Sequence, residues 1–126
     1  LHIQTIMIYK FEWHSNDLLV TFNGKLTYKD IVSADNKLFS DYRFDDMNFV
    51  IYDFSKVDVL VMTDGDNKQT VAINLTASNY KRKLKMAFIS NNPQIKEVIL
   101  KFILLMHQGE RDLKIFNNLG DAFEWV

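Results

Sequence analysis

The sequence has no cysteine, one proline and four glycines among its 126 residues. Without cysteine, disulfides, thiolate metal sites and thiol catalysis are excluded, and a reducing compartment suits the chain. With so little proline and glycine, no linker, low-complexity stretch or internal repeat interrupts it. No long apolar run is present either: the one closing at residues 103–106 is far too short to span a bilayer. No charged-then-apolar leader opens the chain, so the cytoplasm is the expected location. Charge of one sign is also lacking. Fifteen basic and 16 acidic residues leave a formal charge of −1, which argues against nucleic-acid binding by bulk electrostatics.

What is present is core material. Hydrophobic residues make up 48% and aromatics 13%, and the length is that of one domain, 1–126. Alternation of Thr5, Met7, Tyr9, Phe11 and Trp13 with Ile6, Ile8, Lys10 and Glu12 predicts a strand over 3–13. After the polar turn His14-Ser15-Asn16-Asp17, residues 18–22 predict a second strand, antiparallel to the first and broken by Gly24. Thr27 with Asp30 three positions on is a capping-box variant. Ile31, Ala34, Leu38, Phe39 and Tyr42 then recur at helical spacing, which predicts a helix over 28–43.

Residues 49–54 are apolar except for Asp53 and suit a strand covered on both faces. Residues 56–62 read as an extended loop. Thr63-Asp64-Gly65-Asp66-Asn67 is a turn and cap cluster before a helix over 67–83. Strand 85–90, a helix over 94–108 opened by Pro93 and closed by Gly109, strand 113–116 and a short helix capped by Asn118 complete the chain. The order β-β-α-β-α-β-α-β-α predicts an α/β fold with a single mixed β-sheet and amphipathic helices packed on it.

This order resembles the STAS superfamily, the fold of bacterial anti-sigma-factor antagonists, and its SpoIIAA-like branch above all. The resemblance is carried by residues 14–31, with Gly24-Lys25-Leu26-Thr27 between strand and helix, by Asp53-Phe54-Ser55-Lys56-Val57, and by the closing segment 116–126. It implies a non-enzymatic regulatory role exercised on a protein partner. In the antagonists a serine after an aspartate opens the second helix and is phosphorylated, which switches partner binding. The matching positions fall near Val61, Met62 and Thr63. The Asp-Ser-Ser-Gly pattern is absent. Thr63, followed by Asp64 and Gly65, is the phospho-switch candidate, and an ordinary helix cap is the competing reading.

No catalytic constellation stands out. Asp53 in an apolar strand invites a general-base reading, but the alternative is a carboxylate that accepts loop N–H groups and orders the turn at Ser55. His2, His14 and His107 are scattered, and no metal or cofactor site is expected. The calcium-loop likeness of Asp64 and Asp66 lacks its closing Glu. The basic cluster Lys81, Arg82, Lys83 and Lys85 suits a solvated helix end better than a phosphate site.

The sharper signal is in the helix over 94–108. Ile95, Val98, Ile99, Phe102, Leu105 and Met106 form its core face, while Leu100 and Leu104 fall among polar residues one turn apart. That pair is the expected interaction surface, for a protein partner or a homodimer. A second reading is a carrier or sensor of a small apolar or lipid-like ligand. Its groove would lie under the helix over 67–83, near Tyr52, Asp53, Met62 and Tyr80, and Trp13 could line a mouth.

Overall fold

The computed structural model describes residues 7–79, 81, 83–106 and 111–126. Strand β1 (Tyr9–His14) turns through Ser15, at φ 58°, into β2 (Asp17–Thr27). Helix α1 (Tyr28–Phe39) follows, then a 3-10 turn (Tyr42–Asp46), β3 (Phe49–Val61), α2 (Asp64–Ser78), β4 (Lys85–Ile89), α3 (Pro93–Met106), β5 (Asp112–Phe116) and α4 (Leu119–Trp125). The strands form one mixed sheet in sequential order, with β1 antiparallel and β2 to β5 parallel. The fold class read from the sequence is therefore the observed one. No helix among the described residues is long and apolar enough to cross a membrane.

Sequential parallel strands joined by crossovers of one hand must carry their connecting helices on one face. The core shows this. Ile31, Ala34 and Leu38 of α1, Val71 of α2, and Ile95, Ile99 and Phe102 of α3 pack with Val20, Phe22, Tyr52, Phe54 and Phe88 of the sheet. The opposite face is covered by α4, where Ala122 meets Leu19, Ile51, Ala87 and Ile89.

Local chemistry fixes the helix starts. Asp30 Oδ2 accepts from the Thr27 N–H and from Thr27 Oγ1, both at 2.9 Å. At α2, Thr63 Oγ1 accepts from the Asp66 N–H while Asp66 Oδ2 accepts from the Thr63 N–H, both at 3.0 Å. Asn118 Oδ1 accepts from the Asp121 N–H at 2.8 Å. Each satisfies backbone donors that a helix leaves open.

Several boundaries differ from the sequence expectation. Gly24 does not end the second strand. At φ 69° it forms an irregularity in β2, and Lys25, Leu26 and Thr27 resume pairing with Val59, Leu60 and Val61. The segment 56–62, expected as loop, is accordingly strand as far as Val61. Helix α1 stops at Phe39, where the chain tightens into the 3-10 turn. Helix α2 begins three residues early because its cap is Thr63 itself, and it ends at Ser78. Parts of the expected first strand, Arg82 of the basic cluster, and His107 and Gly109 after α3 lie outside the described residues.

Candidate functional site

The groove candidates separate in the structure. Tyr52 and Met62 line a cavity between α2 and the sheet. Asp53 does not. It alternates with Tyr52 along β3, so it takes the other face, and its Oδ1 accepts from the Ser55 N–H at 2.9 Å. Nor does it mark a strand end: β3 continues to Val61, and Asp53 is only the last residue paired with β4. The expected turn at Ser55 is absent because the strand runs through it; the carboxylate accepts this N–H at an irregularity of the β2–β3 pairing and does not line the cavity as a general base there would. Tyr80 lies outside the described residues.

The polar centre of the cavity is a group that sequence reading missed. Asp35 of α1 is buried, and its Oδ1 accepts from Tyr52 Oη at 3.1 Å. Its Oδ2 accepts from Asn74 Nδ2 of α2 at 3.2 Å. The same Nδ2 donates to the Thr70 carbonyl at 3.0 Å, while Asn74 Oδ1 is buried with no hydrogen-bond partner among the described residues. Three elements are thereby tied through one carboxylate. Burial pushes the Asp35 carboxyl up to about 6, against the pull of the two hydrogen bonds and the Arg111 charge. The Tyr52 phenol is pushed well above its usual value by burial and then by the Asp35 charge.

Arg111 is buried too, and burial pulls its guanidinium down. Among the described residues it makes no ion pair. Nε and Nη2 both donate to the Lys81 carbonyl at 3.2 Å, and Nη1 lies 3.8 Å from Met86 Sδ. Among the described residues the carboxylate has no direct counter-ion, and burial dominates its behaviour.

A sequence signal for this cluster existed. Ile31, Ala34, Asp35 and Leu38 are the buried positions of α1, so Asp35 sits inside the apolar stripe. In α2 the buried stripe is Asn67, Thr70, Val71, Asn74 and Ala77, three of them polar. Ile73 and Leu75 of the same helix are half-buried.

The cavity measures about 50 Å³ and is walled by Phe22, Tyr52, Phe54, Phe88 and Phe102, with Met62 at its edge. A site for a drug-sized ligand needs roughly 300 Å³ or more. As it stands the cavity accepts a few heavy atoms, and the room expected for a carrier is not there.

The other expected positions are surface features. Thr63 uses its hydroxyl as the α2 cap, flanked by the carboxylates of Asp64 and Asp66. Leu100 and Leu104 are 48% and 72% exposed, and Leu105, expected in the core, joins them at 41%. Lys101 between them lies 3.4 Å from Asp64 and 3.8 Å from Glu97. Trp13 is capped by the Arg43 guanidinium 3.7 Å from its ring centre, and Arg43 is held by Asp41 at 2.8 Å, which closes that possible mouth. Of the basic cluster, Lys81 donates to the Asp45 carbonyl and Lys85 to the Trp125 carbonyl, so they point apart. Among the described residues no three His, Asp or Glu side chains gather as metal ligands.

No protein-family model matches the sequence, and no curated protein matches it. Solved structures do match its shape. The anti-sigma factor antagonist SpoIIAA in its unphosphorylated form superposes with a TM-score of 0.63 at 10% identity, over 94% of this chain and 96% of that one. SpoIIAA of Bacillus, a cell fate determinant, in its phosphorylated form gives 0.60 at 12% identity, over 94% and 98%. An uncharacterized protein of the DUF3478 family from Shewanella loihica, with a SpoIIAA-like fold, gives 0.55 at 16% identity, over 99% of both chains. Together with the strand order and the four helices, these likenesses show that the chain has a STAS-type, SpoIIAA-like fold.

Proposed function

We propose that the chain is a single-domain, non-enzymatic regulatory protein that acts in the cytoplasm by presenting α3 to a protein partner, a second copy of itself in the first instance. One observation carries this reading. Leu100, Leu104 and Leu105 stand exposed together on α3, with Leu104 72% accessible, and a solvated cluster of that kind is the usual mark of a contact. The fold shared with SpoIIAA, an anti-sigma factor antagonist, supports a regulatory role of this type. Among the described residues Asp53 is paired with the Ser55 N–H and not with a histidine, which gives no support to an enzyme.

Phosphorylation of Thr63 would be the matching switch in this fold. Against it stand the hydroxyl's use as a cap and the two adjacent carboxylates, which would repel a phosphate. The cap is the reading we favour. The carrier reading keeps one observation in its favour, the aromatic cavity under α2.

Static light scattering tests the interaction directly. The wild type is expected to gain mass with concentration, and Leu100→Asp with Leu104→Asp to remain monomeric with unchanged circular dichroism. A wild type that stays monomeric throughout would overturn self-association.

A further inference from the structure

The sheet ends in an open edge at β5. This strand pairs with β4 alone, and its other side meets no strand among the described residues. The pairing decides which backbone groups stay free. The Asp112 N–H donates to the Leu84 carbonyl at 3.1 Å, and the Phe116 carbonyl accepts from the Ser90 N–H at 3.2 Å. In a parallel ladder every second residue bonds to a given neighbour. Leu113 and Ile115 therefore turn their N–H and C=O groups outward, and nothing among the described residues pairs with them.

A groove follows this edge between Ile103 of α3 and Trp125 of α4. Its charge is one-sided: Lys85, Arg111 and Lys114 line it against one carboxylate, Asp112. Among the described residues none of the three cations has an ion-pair partner. Lys114 Nζ lies over the Phe116 ring, 5.4 Å from its centre, and Lys85 Nζ donates to the Trp125 carbonyl at 3.0 Å. Side chains alternate along the strand. Leu113 and Ile115 pack against the core under α3, so Lys114 stands on the α4 face, exposed.

We propose that the β5 edge docks an extended segment of a partner protein in which acidic and apolar residues alternate. The segment adds a strand to the sheet and takes the free N–H and C=O groups of Leu113 and Ile115. Residues paired across strands share a face of the sheet. The partner residue opposite Lys114 is therefore acidic, and those opposite Leu113 and Ile115 are apolar and reach towards Ile103. A second copy of β5 fits poorly. Antiparallel pairing about the strand centre would set Lys114 against Lys114, and like charges directly opposite are unfavourable. A short edge bearing a lysine resists its own kind, while the same lysine favours an acidic strand. The site uses none of the exposed leucines of α3, so it stands apart from the self-association proposed above.

Titration with a blocked peptide of alternating glutamate and valine tests the site, read by amide chemical shifts and hydrogen exchange. The Leu113 and Ile115 amides are expected to shift saturably and, with peptide bound, to exchange about tenfold or more slowly than without it. Lys114→Glu, at an exposed position, should weaken binding about tenfold. Added salt should weaken it as well, and a peptide with lysine in place of glutamate should not bind. No saturable shift, or shifts centred away from β5, would overturn the site. Equal binding of the lysine peptide, or undiminished binding by Lys114→Glu, would overturn the acidic partner. Shifts at Leu113 and Ile115 that appear on concentrating the protein alone would assign the edge to a second copy and overturn the proposal.

Discussion

Asn74 of α2 donates an Nδ2 proton to Asp35 of α1 across 3.2 Å, while its own carboxamide oxygen, also buried, meets no donor among the described residues. A well-packed protein rarely leaves such an acceptor open. The pair joins two helices separated by β3, and Tyr52 of that strand completes the junction. The central layer is thus organised by a lone carboxylate, with aromatic rings around it.

That carboxylate contributes a pH-dependent part of the stability. Its folded value, raised from 3.8 to about 6, means the native state holds the proton longer than the unfolded chain does. The contribution is fully present below pH 3.8 and is lost as pH rises through about 6. By linkage the loss is about 3 kcal/mol. Asp35→Asn should flatten this part of the profile, and denaturant titrations at several pH values measure it. A wild-type stability that climbs from pH 4 to 7 by Asp35 ionisation would have the wrong sign.

Gly24→Ala should destabilise the protein by about 1 kcal/mol. The cost is conformational: φ is 69°, and no atom lies within 4 Å of the added methyl. Thermal melts monitored by circular dichroism check it. A neutral result would show that the β2 irregularity relaxes to negative φ.

Thr63→Ala should cost about 1 kcal/mol, because the Asp66 N–H loses its acceptor. Thr63→Ser should restore most of it. Urea unfolding of the two variants separates a cap from a residue whose hydroxyl does nothing structural.

The caps were legible in the sequence because they are local. Thr27 with Asp30, and Thr63 with Asp66, are satisfied within one turn and depend on nothing distant. The order of strands and helices along the chain followed from the same punctuation. The reach of β2 and β3 was not legible, because Lys25 to Thr27 become strand only by pairing with Val59 to Val61. Neither was the Asp35 cluster. A carboxylate in an apolar stripe and an asparagine on another helix acquire meaning only when folding brings positions 39 apart into contact. Leu105 failed for a related reason: helical spacing alone placed it inward, while the observed packing of α3 turns it outward at 41% exposure.

The interaction surface proposed on α3 is tested most directly by mapping amide chemical shifts of the wild-type protein as it is diluted. Concentration-dependent shifts are expected to cluster around Leu100, Lys101, Leu104 and Leu105 and to vanish in Leu100→Asp with Leu104→Asp. Shifts that are absent, or that gather on the β1 or β5 edge instead, would contradict the role assigned to α3.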